Sequence, residues 1–138
     1  HTCVELLSEG YEVVIVDNLY NASEKVVERI KEITGQDLTF YNTDIRDYEG
    51  LTQIFATEKP EVVIHFAGLK AVGESVLKPL EYYENNISGT LTLCKVMREN
   101  GCKNIIFSSS ATVYGNPAFI PITEECPKGV CTNPYGWS

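Results

Sequence analysis

The sequence has 138 residues and a hydrophobic fraction of 43%, so it is long enough to fold as one domain with a hydrophobic core. Its net charge of -8 argues against nucleic acid or an anionic membrane as the main partner. No apolar run approaches the ~20 residues of a membrane-spanning helix, and no secretory signal is recognised, so we expect a cytoplasmic protein.

The five cysteines are odd in number and lack the spacing of a metal site. Reduced thiols are the simplest interpretation, and no metal site is predicted. A disulfide between Cys126 and Cys131 is the less favoured alternative.

Helical and strand patterns alternate along the chain. Helices are predicted over 1–9, from a cap at Ser23 to Gly35, from a cap at Asp47 to before Pro60, over 79–100, and from Pro134 onwards. Strands are predicted over 12–16, 38–41, 61–66 and 104–107. The unbroken apolar run at 104–107 is typical of a strand buried on both faces, and the strands at 12–16 and 61–66 are also expected to be buried. This order predicts an α/β fold with a doubly wound parallel sheet of the Rossmann type.

The helix predicted over 79–100 carries two apolar stripes. We expect one of them to pack on the sheet, namely Tyr83, Ile87, Leu91 and Cys94. The other, Leu93 and Met97, suits a neighbouring helix of this or another subunit.

The sequence begins inside a helical pattern and stops about one residue into the helix that starts at Pro134. We therefore expect residues 1–138 to be a partial NAD-binding domain without its first strand. In such a fold the glycine-rich phosphate loop lies roughly 20 residues before the acidic residue of the second strand. That loop is expected before residue 1.

Acidic residues follow the first two predicted strands. An acidic residue at the position of Asp17 accepts hydrogen bonds from the adenosine ribose in dinucleotide-binding folds, and its charge favours NAD over NADP. Asp44 and Ile45 hold the corresponding place after the next strand, where they could read the adenine edge. The alternatives are a solvated turn residue at position 17, and at position 44 a loop aspartate or a cap that competes with Asp47.

The third strand opens into small residues and a lysine over 66–70. Small residues allow a cofactor to approach the main chain closely, and Lys70 could neutralise a pyrophosphate or orient a ribose. A surface lysine is the alternative. His65 is expected to be a hydrogen-bonded core residue, and Asn85, early in the long helix, could reach the cofactor or be merely exposed.

Hydroxyl groups follow the fourth strand, and Tyr135 lies near the end of the sequence. Since ligands bind at the carboxyl edge of open α/β sheets, we interpret Ser110 and Tyr135 as a catalytic pair that meets over a sugar hydroxyl. A phenol with an ordinary pKa of ~10 is a weak base, so such a tyrosine needs nearby positive charge. An oxidised nicotinamide, or a lysine one turn later at position 139, would supply it. The alternative for Tyr135 is a packing aromatic.

Four runs together carry a resemblance that covers essentially the whole sequence. They are HFAGLKAVGES at 65–75, PLEYY at 79–83, FSSSATVYG at 107–115 and NPYG at 133–136. The sequence resembles the UDP-glucose 4-epimerase family of the extended short-chain dehydrogenase/reductases.

The resemblance implies a role for each candidate residue. It implies that NAD is held by Asp17, Asn18, Leu19, Asn21, Asp44, Ile45, Phe66, Ala67, Gly68, Lys70, Asn85 and Tyr135. It implies that the sugar is held by Lys70, Ser110 and Tyr135, with Tyr135 as the acid/base of a Tyr-x-x-x-Lys motif. The substrates would be UDP-glucose and UDP-galactose, and the full-length protein would be a homodimer. The resemblance also implies that the substrate-binding region lies after residue 138, so residues 1–138 alone are expected to be inactive.

The implied reaction is a transient oxidation at sugar C4, without net redox change, that interconverts the two UDP-sugars. A nucleotide-sugar 4,6-dehydratase is one alternative, but it needs an extra acid and base beside the serine, where this sequence has Ala111 and Thr112. A non-catalytic NAD-sensing module is another, although it has no need of both Ser110 and Tyr135.

Overall fold

The computed structural model describes residues 1–138 as alternating helices and short strands. The strands are β1 (Val14–Asp17), β2 (Thr39–Asn42), β3 (Val62–His65) and β4 (Asn104–Phe107). The helices are α1 (Thr2–Ser8), α2 (Lys25–Thr34), α3 (Tyr48–Glu58), α4 (Val72–Leu77), α5 (Pro79–Tyr83), α6 (Thr90–Glu99) and α7 (Pro134–Trp137). A π-helical segment, Glu84–Gly89, joins α5 to α6, and a 3-10 turn occupies Ala111–Tyr114.

The strands form two parallel pairs. β1 pairs with β2 from Val14 opposite Thr39 onwards, and β3 pairs with β4 from Val62 opposite Asn104 onwards. These are two separate two-stranded sheets rather than one continuous sheet. In the Rossmann order 3-2-1-4-5-6 the first strand lies between the second and the fourth. The separation therefore agrees with the expectation that the first strand of this fold is not among residues 1–138.

Helices cover both faces of β1, which agrees with the Rossmann-type fold. Val16 of β1 and Val63 of β3 pack on a cluster formed mainly by α3 and α6, namely Leu51, Phe55, Leu93, Val96, Met97 and Cys102. The adjacent Ile15 packs on a second cluster formed by α1, α2 and the residue before β2, namely Leu7, Ile30 and Leu38. Since neighbouring strand residues point to opposite faces, the two clusters lie on opposite sides of β1.

The predictions that β4 is buried on both faces, and that β1 and β3 are buried, are wrong for this chain. All four residues of β4 are exposed, with 60% of Phe107 accessible, and β1 and β3 are mostly half-buried. An unbroken apolar run indicates burial only where both faces of a strand have a cover. The helices within residues 1–138 leave β4 open.

Helix boundaries follow the predictions closely, with one exception. The Asp47 side chain accepts a hydrogen bond from the Gly50 amide at the start of α3, and Gly35 ends α2 with a φ of 67°. Ser23 is not the cap of α2, since the helix begins after Glu24 without a side-chain cap. The short helix α4 and the 3-10 turn were not predicted.

The prediction is wrong for the first stripe of the long helix and confirmed for the second, which packs on a neighbouring helix of this chain. Leu93 and Met97 are buried on α3, whereas Ile87, Leu91 and Cys94 are exposed. The buried face continues from Tyr82 to Met97 at helical spacing, so the first stripe lies on the opposite, exposed face of the long helix.

Two further expectations concern the cysteines and membranes. All five cysteines are free, which agrees with the reduced-thiol interpretation rather than the disulfide. None of the helices is both long and apolar enough to span a bilayer.

Candidate active site

The predicted site residues follow the carboxyl ends of the four strands. Asp17 ends β1, Asp44 follows β2, Phe66 follows β3, and Ser110 lies three residues after β4. In parallel α/β sheets this edge is where ligands bind.

The turn after β1 is shaped by its own side chains. The Leu19 amide donates to Asp17 Oδ1 at 2.7 Å, and the Tyr20 amide donates to Asn18 Oδ1 at 3.0 Å. Leu19 has a φ of 56°, a left-handed conformation that is unusual for a leucine. The two side-chain bonds hold this strained turn in place, with Asn18 and Asn21 exposed.

Asp44 joins the turns after β1 and β2. Its Oδ2 accepts from Asn18 Nδ2 at 2.9 Å, while Arg46 donates from its amide and its Nε to Oδ1, both at 2.8 Å. Hydrogen bonds from the Arg46 guanidinium hold the pKa of the Asp44 carboxyl well below its usual range. Asp44 is therefore charged at neutral pH and is a structural link as well as a candidate adenine contact.

The buried Ile45 packs directly on the π-helical segment. A Cβ added at Gly89 would lie 2.5 Å from Ile45 Cδ1, so glycine is required for this approach. The segment thus meets the loop after β2 on one side.

The loop after β3 is supported by side chains of the π-helical segment, and most of its residues are exposed. The buried Asn85 donates through Nδ2 to the Ala67 carbonyl at 2.8 Å, and the neighbouring Asn86 bonds both main-chain groups of Leu69. Four predicted cofactor residues of this loop are exposed, namely Phe66, Ala67, Gly68 and Lys70. Asn85 therefore lies against the predicted cofactor loop, where it supports the main chain.

His65 is a hydrogen-bonded core residue, as expected. It is 5% exposed, and its Nε2 lies 2.8 Å from Thr90 Oγ1. Because the Thr90 hydroxyl donates its only hydrogen to the Asn86 carbonyl at 2.6 Å, Nε2 of His65 is the donor. Burial lowers the pKa of His65, so the ring is neutral at pH 7.

Ser110 caps the 3-10 turn. Its Oγ accepts from the Thr112 amide at 3.2 Å and lies 3.0 Å from the Thr112 hydroxyl. A cavity of about 440 Å³ opens beside it, lined by Ser109, Ser110, Ala111, Val113, Tyr114, Ile122, Thr123 and Glu124. Ser110 therefore borders a space large enough for part of a sugar ligand.

Tyr135 lies in α7, whose first turn is capped by Asn133 through a bond from the Gly136 amide at 2.9 Å. Its ring packs edge-on against Tyr82, with 6.4 Å between centroids. A Cβ on Gly136 would lie 3.6 Å from Thr112 Cβ, so α7 sits against the 3-10 turn. Ser110 and Tyr135 thus lie on adjoining elements, but Tyr135 does not line the cavity beside Ser110.

Several residues that organise this edge were missed in the sequence. Tyr82 is 1% exposed, and its hydroxyl lies 3.0 Å from the Ala71 amide, the Ala71 carbonyl and Glu74 Oε2. Burial and the Glu74 carboxylate raise its pKa, so the hydroxyl keeps its proton. Asn86, Gly89 and Thr90 were also missed. Two adjacent asparagines inside a helix are a detectable signal, because asparagine is a poor helix former.

A model of the NAD dependent epimerase/dehydratase family matches residues 1–138. The chain belongs to this family. UDP-glucose 4-epimerase from Bacillus subtilis (strain 168) is 60% identical, covering 99% of this chain and 40% of that protein. UDP-glucose 4-epimerase from Haemophilus influenzae (strain ATCC 51907 / DSM 11121 / KW20 / Rd) is 59% identical, covering 100% of this chain and 41% of that protein.

A solved structure extends the likeness to three dimensions. The crystal structure of UDP-glucose 4-epimerase from Bifidobacterium longum, in complex with NAD+ and UDP, matches with a TM-score of 0.97 and 55% identity. The match covers 99% of this chain and 41% of that one. The chain thus spans about two fifths of the length of the relatives it matches, and the resemblance seen in the four sequence runs is confirmed.

Proposed function

We propose that this chain supplies part of the cofactor site, and the acid/base tyrosine, of an enzyme that interconverts UDP-galactose and UDP-glucose. The observation that carries the proposal is the identity of about 60% with UDP-glucose 4-epimerases along the whole chain. The relative solved with NAD+ and UDP has the same fold at a TM-score of 0.97.

NAD is the proposed cofactor, and the residues at the sheet edge fit it. The loop after β3 presents exposed main chain at small residues, and only Asn86 Oδ1, at 3.7 Å, lies near a Cβ added to Gly68. A flat ligand can therefore approach this loop closely. Asp17 suits the adenosine ribose, Asp44 and Ile45 suit the adenine, and Lys70 suits a phosphate or ribose.

The bound cofactor would accept a hydride from sugar C4 and return it to the opposite face of the 4-keto sugar. The chain's own contribution is proton transfer and orientation. Tyr135 would take the proton from the sugar 4-hydroxyl and later return it, while Ser110 would hydrogen-bond the same oxygen. This proposal requires the Tyr135 hydroxyl to face the space beside Ser110. The contact of α7 with Thr112 brings the helix that carries Tyr135 close to that space.

A homodimer is proposed for the full-length enzyme. The exposed stripe on the long helix contains Leu80, Ile87, Leu91 and Cys94, with 65% of Leu91 accessible. In a dimer with a two-fold axis, this stripe would pack against the same stripe of the second subunit. Two-fold dimers are the commonest form of homo-oligomer. A cytoplasmic location is proposed as well, since five free cysteines suit a reducing compartment.

The decisive assay supplies the full-length protein with UDP-galactose and identifies the product. UDP-glucose is expected. A 4-keto-6-deoxy sugar nucleotide would instead identify a dehydratase, and no turnover with retained NAD binding would favour an NAD-sensing module.

A further inference from the structure

The carboxamide of Asn86 uses every hydrogen-bonding position that it has. Its Oδ1 accepts from the Leu69 amide at 2.8 Å and from Asn85 Nδ2 at 3.0 Å. Its Nδ2 donates to the Leu69 carbonyl and to Ser138 Oγ, both at 2.8 Å. An asparagine side chain has two donor hydrogens and two acceptor lone pairs, so none is left for a ligand.

These bonds connect two parts of the site that are distant in sequence. Leu69 belongs to the loop after β3, which is proposed to hold the cofactor. The Ser138 hydroxyl donates to the Tyr135 carbonyl at 3.0 Å. The same hydroxyl oxygen accepts from Asn86 Nδ2. One side chain therefore ties the cofactor loop to the end of the helix that carries Tyr135.

Asn86 is itself held on a rigid support. Its carbonyl accepts from the Thr90 hydroxyl, which in turn accepts from the buried His65 at the end of β3. Asn86 also lies in the π-helical segment, whose wider turn is an arrangement often found at functional sites. The connection between the two loops is thus anchored in the core and not on the surface.

We propose that Asn86 is a positioning residue, which sets the distance between the bound cofactor and Tyr135 by fixing the loop after β3 to α7. The inference rests on the proposed epimerase activity. Hydride and proton transfer from one sugar carbon require both groups to be aligned on it at once. A connection that fixes their separation affects kcat, whereas a residue that binds substrate affects KM as well.

The test compares Asn86→Ala, Ser138→Ala and the double variant in the full-length enzyme. We expect kcat for UDP-galactose to fall about 10- to 100-fold in Asn86→Ala, because a misplacement of 1 Å costs about 100-fold. KM should change by less than about 3-fold, and NAD should remain bound. Ser138→Ala should lower kcat less. The double variant should be no worse than Asn86→Ala, because Ser138 has already lost its partner.

Asn100→Ala is the matched control. Its side chain donates only to the Val96 carbonyl at the end of α6, so kcat should be unchanged. The proposal is overturned if Asn86→Ala keeps full kcat, if kcat falls only in proportion to lost NAD or lost folded protein, or if the two single losses add in the double variant.

A second measurement separates this proposal from the proposed activity. Amide hydrogen exchange of the full-length protein should be faster at Leu69 and over 135–138 in Asn86→Ala than in the wild type, by about 10-fold or more. If the wild type does not convert UDP-galactose, the proposed function fails, and faster exchange still demonstrates the connection. Unchanged exchange at both places removes the connection whatever the activity.

Discussion

The loops after β1, β2 and β3 and the segment after β4, residues 108–133, reach the same edge of the sheet but are held differently. Side chains cross-link the three loops: Asp44 joins the first two, and the π-helical segment contacts the second and third. The segment after β4 is mostly exposed, with apolar side chains such as Ile120 and Val130 open to solvent. The three loops proposed to contact the cofactor are thus fixed by side chains of this chain, whereas the segment proposed to contact the sugar is mostly exposed.

The largest effect is expected on the sugar side. Tyr135→Phe removes only the hydroxyl, so turnover of the full-length enzyme should fall by about 10²- to 10⁴-fold, the usual contribution of a general acid/base. NAD should stay bound, because the three cross-linked loops are untouched. Steady-state kinetics with UDP-galactose and the NAD content of the purified protein measure both.

Tyr11→Phe is the control for that change. Tyr11 is exposed just before β1, at the opposite edge of the sheet, and should keep full turnover. Full activity of Tyr135→Phe would rule out the acid/base role assigned to that residue.

On the proposed cofactor side, we expect the largest loss at the close contact between Gly89 and Ile45. Gly89→Ala places a Cβ 2.5 Å from Ile45 Cδ1, so either the loop after β2 or the helix must move. We expect a loss of about 1–3 kcal/mol in the free energy of unfolding, as for other overpacked cores, together with weaker NAD binding. Urea denaturation and NAD titration measure the two effects. Gly73→Ala adds the same methyl group where no atom lies within 4 Å, and should show neither loss.

A smaller effect with a distinct pH dependence is expected at Asp44. Since Arg46 and Asn18 depress the pKa of Asp44 in the folded state, its contribution to stability is complete above the unfolded pKa of about 3.9. Asp44→Asn should therefore cost about 1–3 kcal/mol of unfolding free energy at pH 7. The difference from wild type should shrink as the pH falls below about 4. A difference that stays constant down to pH 2 would contradict this assignment.

Asp37→Asn is the control for the acid titration. The Asp37 side chain is 96% exposed and pairs only with Lys31, so its replacement should leave the stability curve nearly unchanged.

The smallest effect on chemistry is expected far from the sheet edge. Leu91→Glu puts a charge in the middle of the exposed stripe, so it should convert the proposed homodimer to monomers and leave the fold intact. Sedimentation velocity of the full-length protein measures the change. Ile33→Glu, an equally exposed position on α2, should leave the assembly state unchanged. A wild-type monomer would end the dimer proposal.

The strand ends and the candidate loops could be predicted because they depend on local patterns and on one rule of sheet topology. β-branched runs locate the strands, and the carboxyl edge of a parallel sheet then selects Asp17, Asp44, Phe66 and Ser110. The core role of His65 also followed, since an ionisable side chain inside a strand needs a partner.

What could not be predicted depends on contacts between distant residues. The π-helical segment packs beside Ile45 and Leu69, and no periodicity across 79–100 reveals it. Nor does the pattern of that helix state which of its two apolar stripes the rest of the chain covers. The exposure of β4 could not be read from its residues, because an apolar pattern does not state whether the covering element is present. Tyr82 was one of eight tyrosines with no local signal to distinguish it.

We propose above that Ser110 and Tyr135 act on one sugar oxygen. The most direct measurement is a crystal structure of the full-length protein with NAD and UDP-galactose. We expect Ser110 Oγ and the Tyr135 hydroxyl each to lie about 2.6–3.2 Å from the sugar 4-oxygen. The opposite result is a sugar bound beside Ser110 while the tyrosine ring stays against Tyr82 and the Tyr135 hydroxyl points away from the sugar. It would rule out the acid/base role of Tyr135.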